Sequence, residues 1–460
     1  AFPPFIDETI HIHSGEIILQ NGTPFYDVVL GRQFTIWWLM LFQPAAAAPI
    51  WVARTATLLA VLPGFAALMS VARLAAGRWG MLFFGVIYLL SAYHLFFERL
   101  ALADPIAGTA VTLAIWFAFR LTRRIRLRDS ALAGFWLFVA FGAKTSAAPF
   151  FGVPVAAALA LFPRGSRWRD SLKLRLRWLT VALGVAFGLS ALFVVGLRLR
   201  GYDIITNSLS LAVSGRGTID EATIFSLQRI VDNVGFTLET LAAYFGIGGL
   251  LVMLIGVMVL LARRQWFFVL CLLGPLAVIW LNTIQQTRYL LISVTLLLLC
   301  TGVALAQVTR KQPLLRWAAL GVIVMWGMVY ALPFMTRLPA ALPLSASDFE
   351  QYVLSDASGF GFAEVYAVLH DRQPHQIIGA LSNCQGLRYA LPADFSVTCP
   401  LIRADAQDRE ALTALFDVSR ADGVYVVLED SPYVPQSAPG TLITVIDVGR
   451  PRLSIYDLAP

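Results

Sequence analysis

The chain has 460 residues, of which 58% are hydrophobic and only 14% are charged, and its mean hydropathy is +0.72. Ordinary soluble domains contain roughly 45–50% apolar and about 25% charged residues, and a soluble surface cannot hide so large an apolar excess. This composition excludes an ordinary soluble globule and predicts a polytopic membrane protein. The net charge of +7 could indicate a nucleic-acid partner. The positions of the cations argue for membrane topology instead, so no nucleic-acid partner is expected.

Apolar stretches of the length needed to cross a bilayer, roughly 20 residues, recur from residue 45 to residue 334. We predict about ten spans, two of them short enough to be tilted or re-entrant. In chain order they are Ala45–Ala72, Trp79–Phe97, Pro105–Leu121, Ala131–Ala143, Ala147–Phe162, Trp178–Leu197, Leu241–Ala262, Trp266–Asn282, Leu290–Gln307 and Trp317–Phe334.

Basic residues cluster in five of the connections between these spans. The clusters are Arg73 and Arg78; Arg120, Arg123, Arg124, Arg126 and Arg128; Arg164, Arg167, Arg169, Lys173, Arg175 and Arg177; Arg263 and Arg264; and Arg310, Lys311 and Arg316. If the spans alternate in direction, all five connections lie on one side, and the positive-inside rule makes that side cytoplasmic. The sequence therefore predicts a multi-pass protein of the inner or plasma membrane.

This topology leaves three segments facing outward: Ala1–Pro44, the loop Arg198–Glu239 and the tail from Leu338. An outward N-terminal segment without a signal sequence implies a preceding helix that this chain does not contain. We expect a transmembrane domain at residues 1–337, with a first outward loop at residues 1–44, and an extracytoplasmic domain at residues 338–460.

The tail alternates helix-like and strand-like patterns, which predicts a small α/β domain. The predicted elements are helices at Gly361–His370 and Asp408–Ser419 and strands at Gln376–Ala380, Gly423–Leu428, Leu442–Val448 and Leu453–Leu458. Cys384 and Cys399 lie in this domain, where an oxidising compartment favours a disulfide between them; the alternative is two unpaired thiols. Cys271 and Cys300 lie within spans and are most simply buried apolar residues.

The first outward segment carries acids and imidazoles at helical spacing. If it is helical, Asp7 and His11 are i,i+4 neighbours, and Glu8 and His11 are i,i+3 neighbours. A carboxylate and an imidazole on one face can hold a divalent ion or position a base. The alternative is the acidic first turn of an interfacial amphipathic helix.

Further ionisable residues lie at span boundaries on the outward side. They are Glu98, Arg99, Asp104, Lys144 and Arg288, the last followed by Tyr289. Ionisable residues at membrane depth are candidates for function. The alternatives are boundary markers for the acids, snorkelling for Lys144 and a helix-end anchor for Arg288. The sequence contains no P-loop, HExxH or paired CxxC motif.

Several short segments, taken in order, resemble the GT-C glycosyltransferases, and in particular the branch of protein O-mannosyltransferases and aminoarabinose transferases with its bacterial members. The segments are Asp7-Glu8, Asn21-Gly22-Thr23-Pro24-Phe25-Tyr26-Asp27, Glu98-Arg99-Leu100-Ala101-Leu102-Ala103-Asp104-Pro105, Phe141-Gly142-Ala143-Lys144-Thr145, Arg288-Tyr289 and Ser358-Gly359-Phe360-Gly361-Phe362-Ala363-Glu364. The Lys144 segment differs from the family's Gly-Leu-Ala…Thr-Lys element in that its last two residues are permuted. The Trp-Trp-Asp-Tyr-Gly element of oligosaccharyltransferases is absent, since Trp37-Trp38 is followed by Leu39.

The resemblance implies a GT-C-like helical bundle with a C-terminal extracytoplasmic α/β domain. It implies transfer of a hexose or pentose from a polyprenyl-phosphate donor to a protein, lipid or glycan acceptor on the outer face, with inversion at the anomeric carbon. Asp7, with Glu8 beside it, would be the base or would orient the acceptor, and Asp104 would be the second essential acid. Glu8 or His11 would help to hold a divalent metal such as Mg, Mn or Zn.

The remaining candidates would bind substrate. Lys144, Arg288 or a metal would neutralise the phosphate as it leaves, because charge develops there in the transition state. Glu98, Arg99 and Tyr289 would complete the binding site.

Two other functions stay open at this point. One is a catalytically inactive GT-C-like membrane subunit of a surface or envelope assembly. The other is a transporter, against which the sequence shows no inverted repeat and no matched pair of broken helices.

Overall fold

The structure of the protein, a computed structural model, describes residues 2–24, 31–46, 48–123, 126–160, 168–202, 227–281, 286–337, 341–400, 406–432, 434–449 and 451–459, with the backbone alone at 168–171 and 406–408. Several features of the sequence analysis lie outside these residues. They are the middle of the loop Arg198–Glu239, the residues Phe25, Tyr26 and Asp27 of the resemblance, and the cations Arg124, Arg164 and Arg167.

The chain divides into two compact units. We call Ile18–Leu41 with Arg54–Arg337 the helical unit, and Ala1–Ile17 with Phe42–Ala53 and Leu338–Pro460 the α/β unit. The first 17 residues group with the residues from Leu338 onward rather than with the long helices. The reason is packing: the Phe5 ring lies 4.5 Å from the Tyr352 ring, and the Ile6 amide donates to the Ala357 carbonyl at 3.0 Å.

Long apolar helices dominate the chain before the tail. In chain order they and their shorter companions are α1 (Ile6–Asn21), α2 (Gln33–Met40), α3 (Pro49–Leu89), α4 (Ala92–Phe97), α5 (Ala103–Leu121), α6 (Leu127–Ala143), α7 (Val153–Ala160), α8 (Trp168–Arg198), α9 (Leu227–Ala262), α10 (Trp266–Trp280), α11 (Leu291–Val308) and α12 (Pro313–Thr336). Short 3₁₀ turns at Thr145–Gly152 and Thr287–Leu290 precede α7 and α11. Each predicted span overlaps one of these helices.

By length and composition, five helical segments within the described residues could cross a membrane. They are Pro49–Leu89, Leu172–Arg198, Leu227–Ala262, Thr287–Lys311 and Pro313–Thr336, with shorter apolar helices at Thr145–Ala160 and Trp266–Trp280. The protein is therefore of the multi-pass membrane class that its composition predicts.

The longest helix, α3, is two helical stretches interrupted at Gly77, whose φ of 73° is unfavourable for any residue with a Cβ. The Phe65 and Tyr88 rings stack with centroids 4.8 Å apart, and a Cβ on Gly85 would lie 2.9 Å from the Met69 side chain. Because these pairs are symmetric about residue 77, the two stretches run antiparallel. They correspond to the first two predicted spans.

The tail forms a five-stranded mixed sheet with helices. Its elements are α13 (Ala346–Phe349), α14 (Phe362–His370), β1 (Gln376–Ala380), α15 (Cys384–Ala390), β2 (Val397–Thr398), α16 (Ala406–Val418), β3 (Val424–Glu429), β4 (Thr441–Ile446) and β5 (Leu453–Asp457). The strand order is β2-β1-β3-β5-β4. β1 pairs in parallel with β2 and β3, whereas β5 pairs antiparallel with β3 and β4.

Side chains on the two faces of this sheet fill separate cores, as the two-residue period of a strand requires. Ile377 and Val427 pack on one face with α14, and Ile378 and Val426 pack on the other with Phe416 of α16. The predicted class, a helical bundle followed by an α/β domain, is confirmed. Helices α13 and α15 and strand β2 were not predicted.

A disulfide joins Cys384, the first residue of α15, to Cys399, just after β2, with Cα atoms 5.6 Å apart. It connects α15 and the end of β2, two of the elements that the sequence analysis missed. Cys271 and Cys300 are buried free thiols.

Candidate functional site

Asp104 and Lys144 form an ion pair inside the helical unit. Asp104 is the second residue of α5, where a carboxylate is favoured by the helix dipole, and the following Pro105 suits the first turn. Lys144 ends α6 in an extended conformation. Its Nζ donates to Asp104 Oδ1 at 2.5 Å, and the side chains of the pair are only 11% and 9% exposed.

Arg288 and Tyr289 lie beside this pair, in the 3₁₀ turn that precedes α11. Lys144 Nζ lies 4.3 Å from the centroid of the Tyr289 ring, and the Arg288 guanidinium lies 5.9 Å from it. The turn is held in place because Tyr93 donates its hydroxyl to the Thr287 carbonyl at 2.5 Å and Arg288 Nε donates to Gln286 Oε1 at 2.8 Å. The structure thus brings together four of the predicted site residues.

Arg32 is a further cation of this site, and the sequence analysis did not identify it. Its charge acts on Lys144 together with that of Arg288. The preceding residue, Gly31, accepts a hydrogen bond from the Thr145 amide at 3.0 Å, which fastens the Arg32 segment next to Lys144. One feature of the sequence could have identified it, since Arg32 is the only Lys or Arg in Ala1–Pro44.

Asp104, Lys144, Arg288 and Tyr289 line a cavity of about 360 Å³, and most of its other lining residues are apolar. The polar part consists of Asp104, Lys144, Ser146, Arg288 and Tyr289. The apolar part consists of Ala107, Ala147, Pro149, Phe150, Val278, Ile279, Leu281 and Ile292. One carboxylate faces two lining cations, so the cavity is net positive and can hold an anion such as a phosphate, with a hydrocarbon chain along the apolar wall.

Glu98 and Arg99 do not line this cavity. Glu98 Oε1 accepts the Tyr88 hydroxyl at 2.6 Å, and Arg99 Nη1 donates to the Phe334 carbonyl at 3.2 Å. The neighbouring His94 is buried between Ser91 and Thr295, with ring nitrogens 2.9 and 2.8 Å from their hydroxyls. These contacts connect α4 to α3, α11 and α12.

Asp7, Glu8 and His11 lie in α1, within the part of the chain that belongs to the α/β unit. Glu8 Oε2 accepts the Phe5 amide at 3.0 Å, which satisfies a backbone donor at the start of the helix. Glu8 and His11 are both buried. Across the described ranges no group of three or more His, Cys, Asp and Glu could hold a metal ion.

A second polar cluster in the α/β unit joins α1 to α15, and it was also missed. Glu16 accepts Arg388 Nη2 at 2.9 Å and the Tyr389 hydroxyl at 2.8 Å, with His13 Nδ1 at 3.5 Å. Burial alone would raise the pKa of Glu16, but the hydrogen bond from Tyr389 and the charge of Arg388 outweigh it and hold the pKa below its usual value. Burial and Glu16 together raise the pKa of Tyr389.

Comparison with known proteins identifies the fold. No family model matches the sequence, and no curated protein matches it. The crystal structure of ArnT from Cupriavidus metallidurans bound to undecaprenyl phosphate matches with a TM-score of 0.61 at 14% identity, over 100% of this chain and 95% of that one. This chain has the GT-C glycosyltransferase fold.

A second GT-C structure agrees with this assignment. The Archaeoglobus fulgidus oligosaccharyltransferase in complex with zinc and sulfate matches with a TM-score of 0.52 at 11% identity, over 93% of this chain and 64% of that one. The resemblance found in short sequence segments is therefore confirmed as a GT-C fold. Identities this low describe the architecture, and the chemistry of the Asp104 cavity has to be argued from its own residues.

Proposed function

We propose that this chain is an integral-membrane glycosyltransferase that moves a sugar from a polyprenyl-phosphate donor to an acceptor on the outer face of the membrane. The observation that carries the proposal is the cavity of Asp104, Lys144, Arg288 and Tyr289, which is net positive and has a long apolar wall. It occurs in a GT-C fold, and the matched ArnT structure contains undecaprenyl phosphate.

The cavity suits both parts of such a donor. Lys144 and Arg288 can hydrogen-bond the phosphate oxygens, and Arg32 adds positive charge to the same region. Apolar side chains such as Phe150, Val278 and Ile292 can pack along the isoprenoid chain. A free sugar phosphate would gain nothing from that wall, which favours a lipid-linked donor.

In the proposed reaction the bond between the anomeric carbon and the phosphate oxygen breaks, and a bond from the acceptor oxygen to that carbon forms on the opposite face. The electron pair of the broken bond stays on the phosphate, where Lys144 and Arg288 stabilise the charge. The acceptor proton passes to a carboxylate, for which we propose Asp7. Asp104 is the second acid, and it orients the Lys144 ammonium through their ion pair.

That the reaction uses a divalent metal remains a prediction, and none of the proposed reaction steps depends on one. The matched oligosaccharyltransferase structure contains zinc, whereas the described residues of this chain include no group of three or more His, Cys, Asp and Glu that could hold a metal ion. Transfer measured before and after treatment with a chelator tests the prediction. Loss of activity that Mg, Mn or Zn restores would support a metal, and unchanged activity would contradict it.

The test of the function is transfer of a sugar from a polyprenyl-phosphate donor by the purified protein in lipid nanodiscs. We expect Asp7→Asn to lower the rate by at least about 100-fold, since general acid–base groups contribute about 10²–10⁴-fold. We expect a loss of about 100-fold for Asp104→Asn, because Lys144 then lacks the carboxylate that orients it and a misplacement of about 1 Å can cost about that much. Asp417→Asn is the matched control, because Asp417 is 54% exposed and pairs with Arg420 on the same surface of the chain at 3.1 Å.

Variants of Arg288 distinguish a defect in donor binding from a defect in proton transfer. We expect Arg288→Gln to raise the KM for the donor about tenfold or more, while Arg288→Lys keeps part of the affinity because it keeps the charge. If both Asp→Asn variants transfer sugar as well as the unmodified protein, the proposal is wrong. If the unmodified protein transfers none of a panel of lipid-linked hexoses and pentoses, the inactive-subunit interpretation replaces it.

A further inference from the structure

A second polar cavity of the helical unit lies where three helix connections meet. It is lined by the turn at Gly77 within α3, by the connection between α9 and α10, and by the connection between α11 and α12. Its volume is about 760 Å³. It shares no lining residue with the Asp104 cavity, so the proposed transfer reaction does not account for it.

The charged lining of this cavity is entirely basic. Arg78, Arg263, Arg310 and Arg316 line it, and none of its described lining residues carries a carboxylate. Arg316 is used by the chain itself, because its Nε donates to the Thr309 carbonyl at 3.1 Å and its guanidinium lies 5.6 Å from the Trp79 ring. The other three arginines are exposed, and within the described ranges none of them is paired with a carboxylate.

Two buried polar atoms of the lining also lack partners. Trp79 Nε1, a donor, and Gln307 Oε1, an acceptor, make no hydrogen bond to any described residue. Leaving such atoms unpaired costs roughly 1–3 kcal/mol each. A ligand that satisfies both must offer an acceptor oxygen and a hydroxyl donor, in addition to the negative charge that the arginines favour.

An exposed tryptophan lies beside the cavity. Trp317 is 61% exposed, and its ring lies 5.0 Å from the ring of Trp79, which lines the cavity. Trp at the ends of membrane helices is typical of the boundary between lipid head groups and acyl chains. A dissolved anion would leave Trp317 uncovered, whereas a phospholipid would cover it with its acyl chains.

We propose that this cavity binds the head group of an anionic phospholipid that carries hydroxyl groups, of which phosphatidylglycerol is the simplest example. The phosphate is held by Arg78, Arg263 and Arg310 and accepts the Trp79 indole N–H. A head-group hydroxyl donates to Gln307 Oε1, and the acyl chains lie against Trp317. Arginine forms forked hydrogen bonds to phosphate, and basic pockets between membrane helices bind anionic head groups in this way.

The competing explanation is that these arginines only fix the direction of the helices, as the positive-inside rule requires. The two explanations differ in whether lipid binding depends on where in the chain the removed cations lie. If the arginines fix topology alone, removal of cations from another basic connection has the same effect on lipid binding. If they form a site, only the cations that line the cavity matter.

The experiment compares two variants of equal charge in the full chain, purified in detergent and delipidated. Arg78→Gln/Arg263→Gln/Arg310→Gln removes the site cations, and Arg128→Gln/Lys173→Gln/Arg177→Gln removes three exposed cations that do not line it. Binding of dioleoylphosphatidylglycerol, dioleoylphosphatidylcholine and inorganic phosphate is measured by native mass spectrometry and by the shift in Tm.

We expect the unmodified protein to bind phosphatidylglycerol at least about tenfold more tightly than phosphatidylcholine, and the site variant to lose that preference while the control variant keeps it. Trp79→Phe keeps the ring and removes one donor, so it tests the site even if the triple variant fails to fold; we expect a loss of about three- to fivefold. Equal losses in the two triple variants, an unchanged Trp79→Phe, or stabilisation by inorganic phosphate equal to that by the lipid would each overturn the proposal.

Discussion

Two clusters of charged residues, one in each unit of the protein, are compensated in different ways. In the α/β unit, the Glu16 carboxylate meets Arg388, Tyr389 and His13, so that charge and hydrogen-bonding capacity are balanced within the chain. In the helical unit, the Asp104 carboxylate meets Lys144 beside Arg288, and the cavity that they line remains positive. The balanced cluster joins α1 to α15, whereas the net positive charge of the Asp104 cavity leaves it able to hold an anion.

The two clusters also differ in how exposed their charged side chains are. Asp104 and Lys144 are only 9% and 11% exposed, whereas Arg388 is 37% exposed. Taking an ion pair out of water costs several kcal/mol per ion, and an apolar pair of similar volume is often at least as stable. Stability alone therefore does not explain the Asp104–Lys144 pair, and its place in a cavity with Arg288 favours a functional reason.

The largest expected effect follows from breaking this pair on one side only. Lys144→Met leaves the Asp104 carboxylate buried without its partner, and we expect the free energy of unfolding to fall by about 3–5 kcal/mol. The double variant Asp104→Asn/Lys144→Met removes both charges. We expect it to regain most of the stability but none of the transferase activity.

Thermal unfolding in detergent and sugar transfer in nanodiscs, measured on the same preparations, check this pair of expectations. A stable Lys144→Met single variant would show that water reaches the Asp104 carboxylate in the folded protein. A double variant that transfers sugar would show that the pair is structural, like the Glu16 cluster, and the contrast between the two regions would disappear.

The next effect concerns the covalent link of the α/β unit. The disulfide between Cys384 and Cys399 closes a loop with a sequence separation of 15. On the chain-entropy estimate, removing a disulfide that closes a loop of this size lowers the free energy of unfolding by about 3 kcal/mol. We expect Cys384→Ser/Cys399→Ser to lower the unfolding free energy by about that amount and to make unfolding insensitive to dithiothreitol. Urea unfolding followed with and without the reductant measures both.

The matched control for this prediction is Cys271→Ser/Cys300→Ser in the helical unit, where both thiols are free and buried. Its unfolding should still respond to dithiothreitol as that of the unmodified protein does. A control that loses the response, or a Cys384→Ser/Cys399→Ser variant as stable as the unmodified protein, would contradict the assignment of this stabilisation to the tail.

The elements that depend on local pattern were predictable from the sequence. An apolar run of about 20 residues is long enough to cross a membrane as a helix, and each of the predicted spans overlaps a helix. Strands β1 and β3 are apolar runs between turn residues and were predicted within one residue of their ends. Helix α15 is only seven residues long and contains Gly386, so propensity does not reveal it; it is defined by Asn383, whose side chain accepts the Gly386 amide.

The residues that the sequence analysis missed depend on contacts between distant parts of the chain. Glu16 and Arg388 are separated by 372 positions, and no local pattern pairs them. Arg32 joins the site because the Gly31 carbonyl binds the Thr145 amide, a contact that sequence periodicity does not contain. Asp104, Lys144 and Arg288 could be identified in advance because charge is rare in this chain, which made each one conspicuous.

The smallest expected effect concerns the pH dependence of the balanced cluster. Because the folded-state pKa of Glu16 lies below its usual value, the ionised carboxylate stabilises the fold above the ordinary carboxyl range near pH 4.5, and this contribution is lost as the pH falls through the lowered pKa. We expect Glu16→Gln to cost about 1 kcal/mol at pH 7, a modest value because Arg388 is 37% exposed and water screens the pair. The cost should shrink towards zero in acid.

Urea unfolding at pH 7 and pH 4 measures the difference, with Glu410→Gln as the exposed control of equal charge. A cost that is the same at both pH values would mean that the Glu16 charge does not contribute, and that α1 is held to α15 by packing alone.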